Sequence, residues 1–434
     1  MKKNVFVVGL DEFNLEKLNR LPEAEECSFL PAIKLSEMRD VEEFSIPELL
    51  SKADKRIRDT GSIDAVVTWF DFPGSVLVPI IADKYNVPGP SLKNIMKCEH
   101  KYWSRVEQKE AIPDNIPAFE AFDIYDDNAF DKIGMEPPFW IKPIKSYGSY
   151  LAYEIKDKEQ FDRCIKEARE HIDLMVEPFS YIFEKYKVSP EISRMNEKMF
   201  AETVIEGHQC TAEGYALNDT VKVYGIIDSI LEDDTSSFSR YEYPSELKQD
   251  VRNRISGISE KVIRHIGLDQ TAFNIEYFYN EQTDEINLLE INPRMSQSHA
   301  DMFEKVHGIS HHEIMLNLAL NRTPEKLDKE GEYKKAAHFM LRSFKPGVVR
   351  NVADEKIIND LKSKYSGLEV LVNVEKGMHL DDMPEYRIDS YSYVLANIFL
   401  GAGNRKELID KYNDVVEKLC IEIDHEGSNC RGQK

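Results

Sequence analysis

Residues 286–299 read INLLEINPRMSQSH, an apolar strand that places Glu290, Asn292 and Arg294 at every second position. Upstream, AFNIEYFY (272–279) is a second apolar run broken by one carboxylate, Glu276, and the polar stretch NEQTDE separates the two. The pattern predicts a β-hairpin connected by residues 281–285, with Asn280 facing Ile286. Counting outward along that register sets Glu276 opposite Glu290. Side chains alternate faces along a strand, so Glu276, Glu290 and Asn292 share one face. Like charges directly opposite destabilise a sheet, and the cost grows where ionised carboxylates lose hydration. A divalent cation removes the conflict. Two carboxylates and an amide oxygen are hard donors, which suit Mg2+ (or Mn2+) better than zinc. Arg294 adds a planar cation suited to phosphate or carboxylate. The same pattern also allows an exposed hairpin face with solvated acids.

The rest of the chain sets bounds. Its 434 residues allow several packed domains, and its 42% hydrophobic content is that of a soluble globular protein. No apolar run approaches the roughly 18 residues of a membrane span, so no membrane partner is expected. The opening MKKNVFVVGLDEF has an apolar run only from Val5 to Leu10 before Asp11 and Glu12, which reads as a first strand and not a signal peptide. Six scattered cysteines without a CxxC fit a reducing, cytoplasmic setting. A net charge of −22 opposes nucleic-acid binding, which rests on neutralising phosphates.

The texture of the chain predicts a multidomain protein of mixed α/β and α+β class. Residues 1–95 alternate apolar strands (4–10, 62–70) with helices near 12–20 and 75–86, the signature of a parallel sheet with covered faces. Residues 96–330 hold antiparallel strand signals, including a turn at Asn218-Asp219, with a small lid over about 135–205. Residues 331–434 read as a small C-terminal α+β domain.

Four stretches then resemble one family in its order. The pair Glu276 and Glu290-Ile291-Asn292-Pro293-Arg294 resembles the metal-binding signature of the ATP-grasp superfamily. KCEHKYWSRVEQKEAIPDNIPAF (97–119) resembles its lysine-bearing helix, and FWIKPIKSYGS (139–149) its second lysine and phosphate-covering loop. AETVIEGHQCTAEGY (201–215) resembles the strand and turn that hold adenine and ribose. The resemblance is to the carboxylate–amine ligases, in the biotin-carboxylase-like branch. It implies an N-terminal α/β domain, an ATP-grasp domain with its lid, and a C-terminal α+β domain.

It also implies roles. Lys101 and Lys142 would reach the α- and β-phosphates of ATP, and Ser146, Gly148 and Ser149 would cover them. Glu202, Val204 and Ile205 would hold adenine, and Gln209 the ribose. Glu276, Glu290 and Asn292 would hold Mg2+ (or Mn2+), and Arg294 the carboxylate substrate. Relatives commonly carry an acid at the position of Gln209; Glu206 or Glu213 stands near enough in sequence to compensate. EINPRMSQSH aligns His299 with a histidine that in biotin carboxylases directly follows a glutamate, here Ser298, which argues for an acceptor other than biotin. His299 is then a candidate acid or base in the substrate loop. The implied activity is ATP-dependent joining of a small-molecule carboxylate to an amine, with a homodimer allowed. Carboxylation, ligation to a thiol, and a nucleotide-binding protein without catalysis are the alternatives.

Overall fold

Val5–Leu10 are buried without a break, because their strand (Lys3–Leu10) lies between two parallel neighbours, Cys27–Lys34 and Ala65–Thr68. This is a computed structural model, and it describes residues 2–39, 45–146, 151–233, 235, 237–324, 330–383 and 392–425. The expected helices occur at Glu12–Asn19, where the Asp11 side chain accepts from the Asn14 N–H, and at Gly74–Tyr85. The strand Cys27–Lys34 and the helix Ile46–Thr60 were not read from the sequence.

Chain contacts divide the protein into two units. One comprises residues 1–226, 247–297 and 312–325, the other 227–246, 298–311 and 326–434.

The first unit contains the parallel sheet and two antiparallel ones. A small sheet orders its strands Phe119–Phe122, Met199–Thr203, Phe139–Pro143, Tyr153–Ile155. Phe161, Ile165 and Ala168 of the helix Lys158–His171 close its own core with Phe139 and Ile141. The other sheet carries the hairpin. Strand Glu285–Asn292 pairs with Thr271–Asn280, which pairs with His208–Leu217. Val251, Ile255, Val262 and Ile266 of the helix Gln249–Ile266 pack in one core with Phe273, Ile275 and Tyr277. At Asn218 and Asp219 the backbone takes φ of 48° and 64°, the geometry that a tight hairpin turn demands.

The second unit holds antiparallel strands in the order Phe238–Tyr243, Lys335–Ser343, Tyr393–Ala402, Glu369–Val372. Leu408, Val415 and Leu419 of the helix Arg405–Leu419 share a core with Phe339, Ile398 and Leu400. Among the described residues no helix is long and apolar enough to cross a membrane.

Candidate active site

Glu276 does pair with Glu290, and Asn274 with Asn292. The route to that pairing differs from simple counting. At the turn Asn280 faces Glu285, not Ile286, so the connection is residues 281–284. Tyr277 pairs with Leu288, and the register then slips by one, leaving Leu289 as the extra residue of a β-bulge. Its effect is visible in the core. Ile286, Leu288 and Ile291 are buried there together, at a spacing of two and then three. Without the bulge Glu290 would follow Ile286 and Leu288 onto the apolar face. The slip turns it to the side of Glu276.

That side is polar across three strands. Thr211 pairs with Glu276 and Glu213 with Asn274, while Cys210, Ala212, Phe273, Ile275 and Tyr277 occupy the opposite, core-facing side. The Gln209 amide donates to Glu276 Oε2 at 3.2 Å, and Asn292 Nδ2 donates to Asn274 Oδ1 at 3.0 Å and Glu276 Oε1 at 3.4 Å. Burial, and after it the facing Glu290, push the Glu276 carboxyl up to about 7. Burial acts on Glu290 in the same sense, but Lys101 and Lys142 outweigh it and hold that group below the usual carboxylate range. The two acids therefore differ: Glu290 is the ionised partner.

This has a measurable consequence. A carboxyl whose folded value is raised from 4.5 to about 7 binds more protons folded than unfolded between those limits. Stability therefore falls as pH rises through that window, by at most about 3 kcal/mol for such a shift. Denaturant unfolding at pH 4.5 and 7.5 should show this decline in the wild type and a flatter profile in Glu276→Gln. An equal decline in both would remove Glu276 as its cause.

The lysines reach the same region from two elements. Lys101 opens the helix Lys101–Ala111, capped by the His100 side chain accepting from the Trp103 N–H at 3.1 Å. Its Nζ lies 2.5 Å from Glu290 Oε1. Lys142, in the strand Phe139–Pro143, forms an ion pair with Glu202 on the neighbouring strand Met199–Thr203. Arg105 holds the other Glu202 oxygen at 2.8 Å. Burial opposes ionisation of Glu202, yet Lys142 and Arg105 bring it down to about 2. Burial lowers Lys142, against the pull of Glu202. Lys101, Arg105, Lys142, Phe200, Glu202 and Glu290 line one recess.

Val204 and Ile205 are half-buried in the connection 204–207 that leads into the strand His208–Leu217. The connection ends at Gly207, with φ of 131°, where a Cβ would meet the Tyr279 carbonyl oxygen at 2.4 Å, so only glycine fits. Ser146 is buried, and Gly148 and Ser149 lie outside the described residues. His299 lies in the second unit, on the helix Gln297–His307, buried with its ring edge-on to Tyr241 at 4.6 Å.

Four charged residues near these groups escaped the sequence reading. Asp71 follows the strand Ala65–Thr68 and accepts from Arg294 at 3.0 Å. Lys145 is paired with Glu99 and stands 3.8 Å from Asp71. Arg294 and Lys145 overcome burial to hold Asp71 below its ordinary value, whereas burial keeps Glu99 raised. The fourth is Arg105. A sequence clue existed for Asp71 alone, which sits just past the carboxyl end of a parallel strand, where open α/β sheets place ligands.

Residues 135–301 match the family model of an ATP-grasp domain. A comparison with curated protein sequences gave no match. Among solved structures, the L-amino acid ligase from Bacillus licheniformis superposes with a TM-score of 0.71 at 14% identity, over 98% of this chain and 99% of that one. Biotin carboxylase from Campylobacter jejuni, solved as a β,γ-ATP complex, gives 0.67 at 15% identity, over 98% and 92%. Phosphoribosylglycinamide synthetase from Anaerococcus prevotii gives 0.63 at 15% identity, over 98% and 100%. With the domain match falling on the strands Phe139–Pro143, Tyr153–Ile155 and Met199–Thr203 and on the hairpin of paired acids, the chain has the ATP-grasp fold.

Proposed function

We propose that this protein is an ATP-dependent ligase that activates a small-molecule carboxylate as an acyl phosphate and joins it to an amine. An amino acid or similar compound is the substrate class. The observation that carries the reading is the facing, half-buried pair Glu276–Glu290 with Lys101 and Lys142 beside it and Arg294 two residues past Asn292. The residues present fit a hard divalent cation. Glu276 is raised to about 7 because burial and a second acid oppose its charge, which a cation would relieve. Among the described residues no three His, Cys, Asp or Glu side chains form a metal-ligating group, and the proposed donor set is two acids and the Asn292 amide. Glu276, Glu290 and Asn292 would hold Mg2+ (or Mn2+), which when bound neutralises phosphate oxygens.

The chain's own groups do the remaining work. Main-chain groups from Glu202 to Ile205 hold adenine, and Gln209 turns to the ribose. Lys101 and Lys142 leave Glu290 and Glu202 to meet the phosphates, while Ser146, Gly148 and Ser149 cover them. Arg294, desolvated and held by Asp71, is poised to exchange that carboxylate for the substrate's. A substrate carboxylate oxygen then attacks the γ-phosphorus and ADP departs. The amine attacks the acyl carbon and phosphate leaves. Closure of the lid, residues 135–205, keeps water from the acyl phosphate. General acid or base work is assigned to His299 on its sequence alone. A cytoplasmic setting agrees with the free thiols of Cys27, Cys98, Cys164 and Cys210.

The test is an ADP-release screen of amino acids singly and in pairs, with mass spectrometry of the product. Release that needs both an acid and an amine, with a product lighter by one water than their sum, is the expected result. Release that needs bicarbonate would convert the reading to carboxylation, against which Ser298 counts. Nucleotide binding with no turnover across the panel would overturn it.

A further inference from the structure

Arg105 is 3% exposed, on the same face of the helix Lys101–Ala111 as Lys101 and one turn beyond it. Its guanidinium spans two strands. Nη1 donates to the Leu288 carbonyl at 3.0 Å, and Nη2 donates to the Leu289 carbonyl at 2.8 Å and to Glu202 Oε2 at 2.8 Å. Gln108 accepts from Nη1 at 2.5 Å and is itself fixed by donating to Ser104 at 2.8 Å. The two carbonyls are those of the bulge. Consecutive carbonyls in a regular strand point to opposite edges, so one fork can gather both only where the strand is kinked.

We infer that Arg105 is a positioning residue for the nucleotide site. By tying the Leu288–Leu289 bulge it fixes the register that turns Glu290 away from the core. By holding Glu202 Oε2 it aims Oε1 at Lys142. One buried cation thus sets the carboxylate proposed for the metal and the lysine proposed for the phosphates. The part concerning nucleotide rests on the proposed function; the part concerning the bulge does not. Lysine cannot replace the arginine, since a single ammonium lacks the planar fork that reaches two carbonyls and a carboxylate together.

The experiment uses the full chain, with MgADP as the probe in calorimetric titration and amide hydrogen exchange on the ligand-free protein. Arg105→Lys should weaken MgADP binding at least tenfold and raise exchange in residues 286–292, with little change in the strand Lys3–Leu10. A merely stabilising arginine would instead lower protection across the unit alike and leave affinity for MgADP unchanged in the folded fraction; that result overturns the inference. If Arg105→Lys does not fold, Gln108→Met decides. It removes the acceptor that orients the guanidinium, together with that acceptor's own bond to Ser104, while keeping Arg105 itself, and it should shift both readouts in the same sense by a smaller factor. Failure of the wild type to bind MgADP would count against the proposed function, and the exchange comparison would still judge the role of Arg105 at the bulge.

Discussion

Glu290→Ala is expected to lower acid- and amine-dependent ADP release by on the order of 10³-fold while leaving the chain folded. The size follows from the proposed chemistry. Phosphoryl transfer is mostly positioning and charge neutralisation, and a misplaced cation forfeits several kcal/mol of transition-state stabilisation, about tenfold per 1.4 kcal/mol. Folding should survive because the Glu290 side chain is 38% exposed and sits outside the apolar cluster. Lys142→Ala should be comparably damaging, since it removes the proposed phosphate contact and leaves Glu202 with Arg105 alone. Steady-state ADP release on a substrate pair from the screen, with circular dichroism to verify folding, checks both. Turnover within threefold of wild type in the two variants would defeat the assignment of this cleft.

The second large effect falls on stability. Glu99→Ala should cost about 3–5 kcal/mol, because removing one partner of a buried pair leaves an uncompensated charge. Lys145 is 5% and Glu99 2% exposed by side chain, and the next carboxylate for Lys145 is Asp71 at 3.8 Å, already committed to Arg294. The helix pair Lys158–Asp162 gives the contrast. Both side chains are more than half exposed, and Asp162→Ala should change stability by no more than about 0.5 kcal/mol. Denaturant unfolding of the two variants side by side decides the matter. Equal small losses would mean that the Glu99–Lys145 pair is well solvated in solution.

The acids themselves were legible, because an isolated carboxylate inside an apolar alternating run is a local contradiction that sequence displays. Glu276 and Glu290 stood out for that reason, as did Lys142 at the end of the run FWIKP. The register was reached by an inexact route. A four-residue connection and a one-residue bulge cancel at Glu290, and no residue between Ile286 and Glu290 announces the bulge. Arg105, Glu99, Asp71 and Lys145 carry no such contradiction. Arg105 lies in a helix rich in other charges, and nothing nearby in sequence reveals that its partners are 97 and 183 residues away. The parallel first sheet was readable from its continuous apolar strands. Cys27–Lys34 was not, because Pro31 and Lys34 break its pattern.

The slip at Leu289 also divides the hairpin into two stretches with separate phases. The tip keeps its own frame, from Asn280 and Glu285 to Tyr277 and Leu288, and the end that carries Glu276 and Glu290 another. Lengthening or shortening the tip can therefore be absorbed on the near side of the irregularity, whereas losing one residue from Leu288-Leu289 would merge the frames and rotate Glu290 inward. Mutational tolerance along this ribbon should thus change abruptly at a single peptide unit, indels being accepted before it and only substitutions beyond.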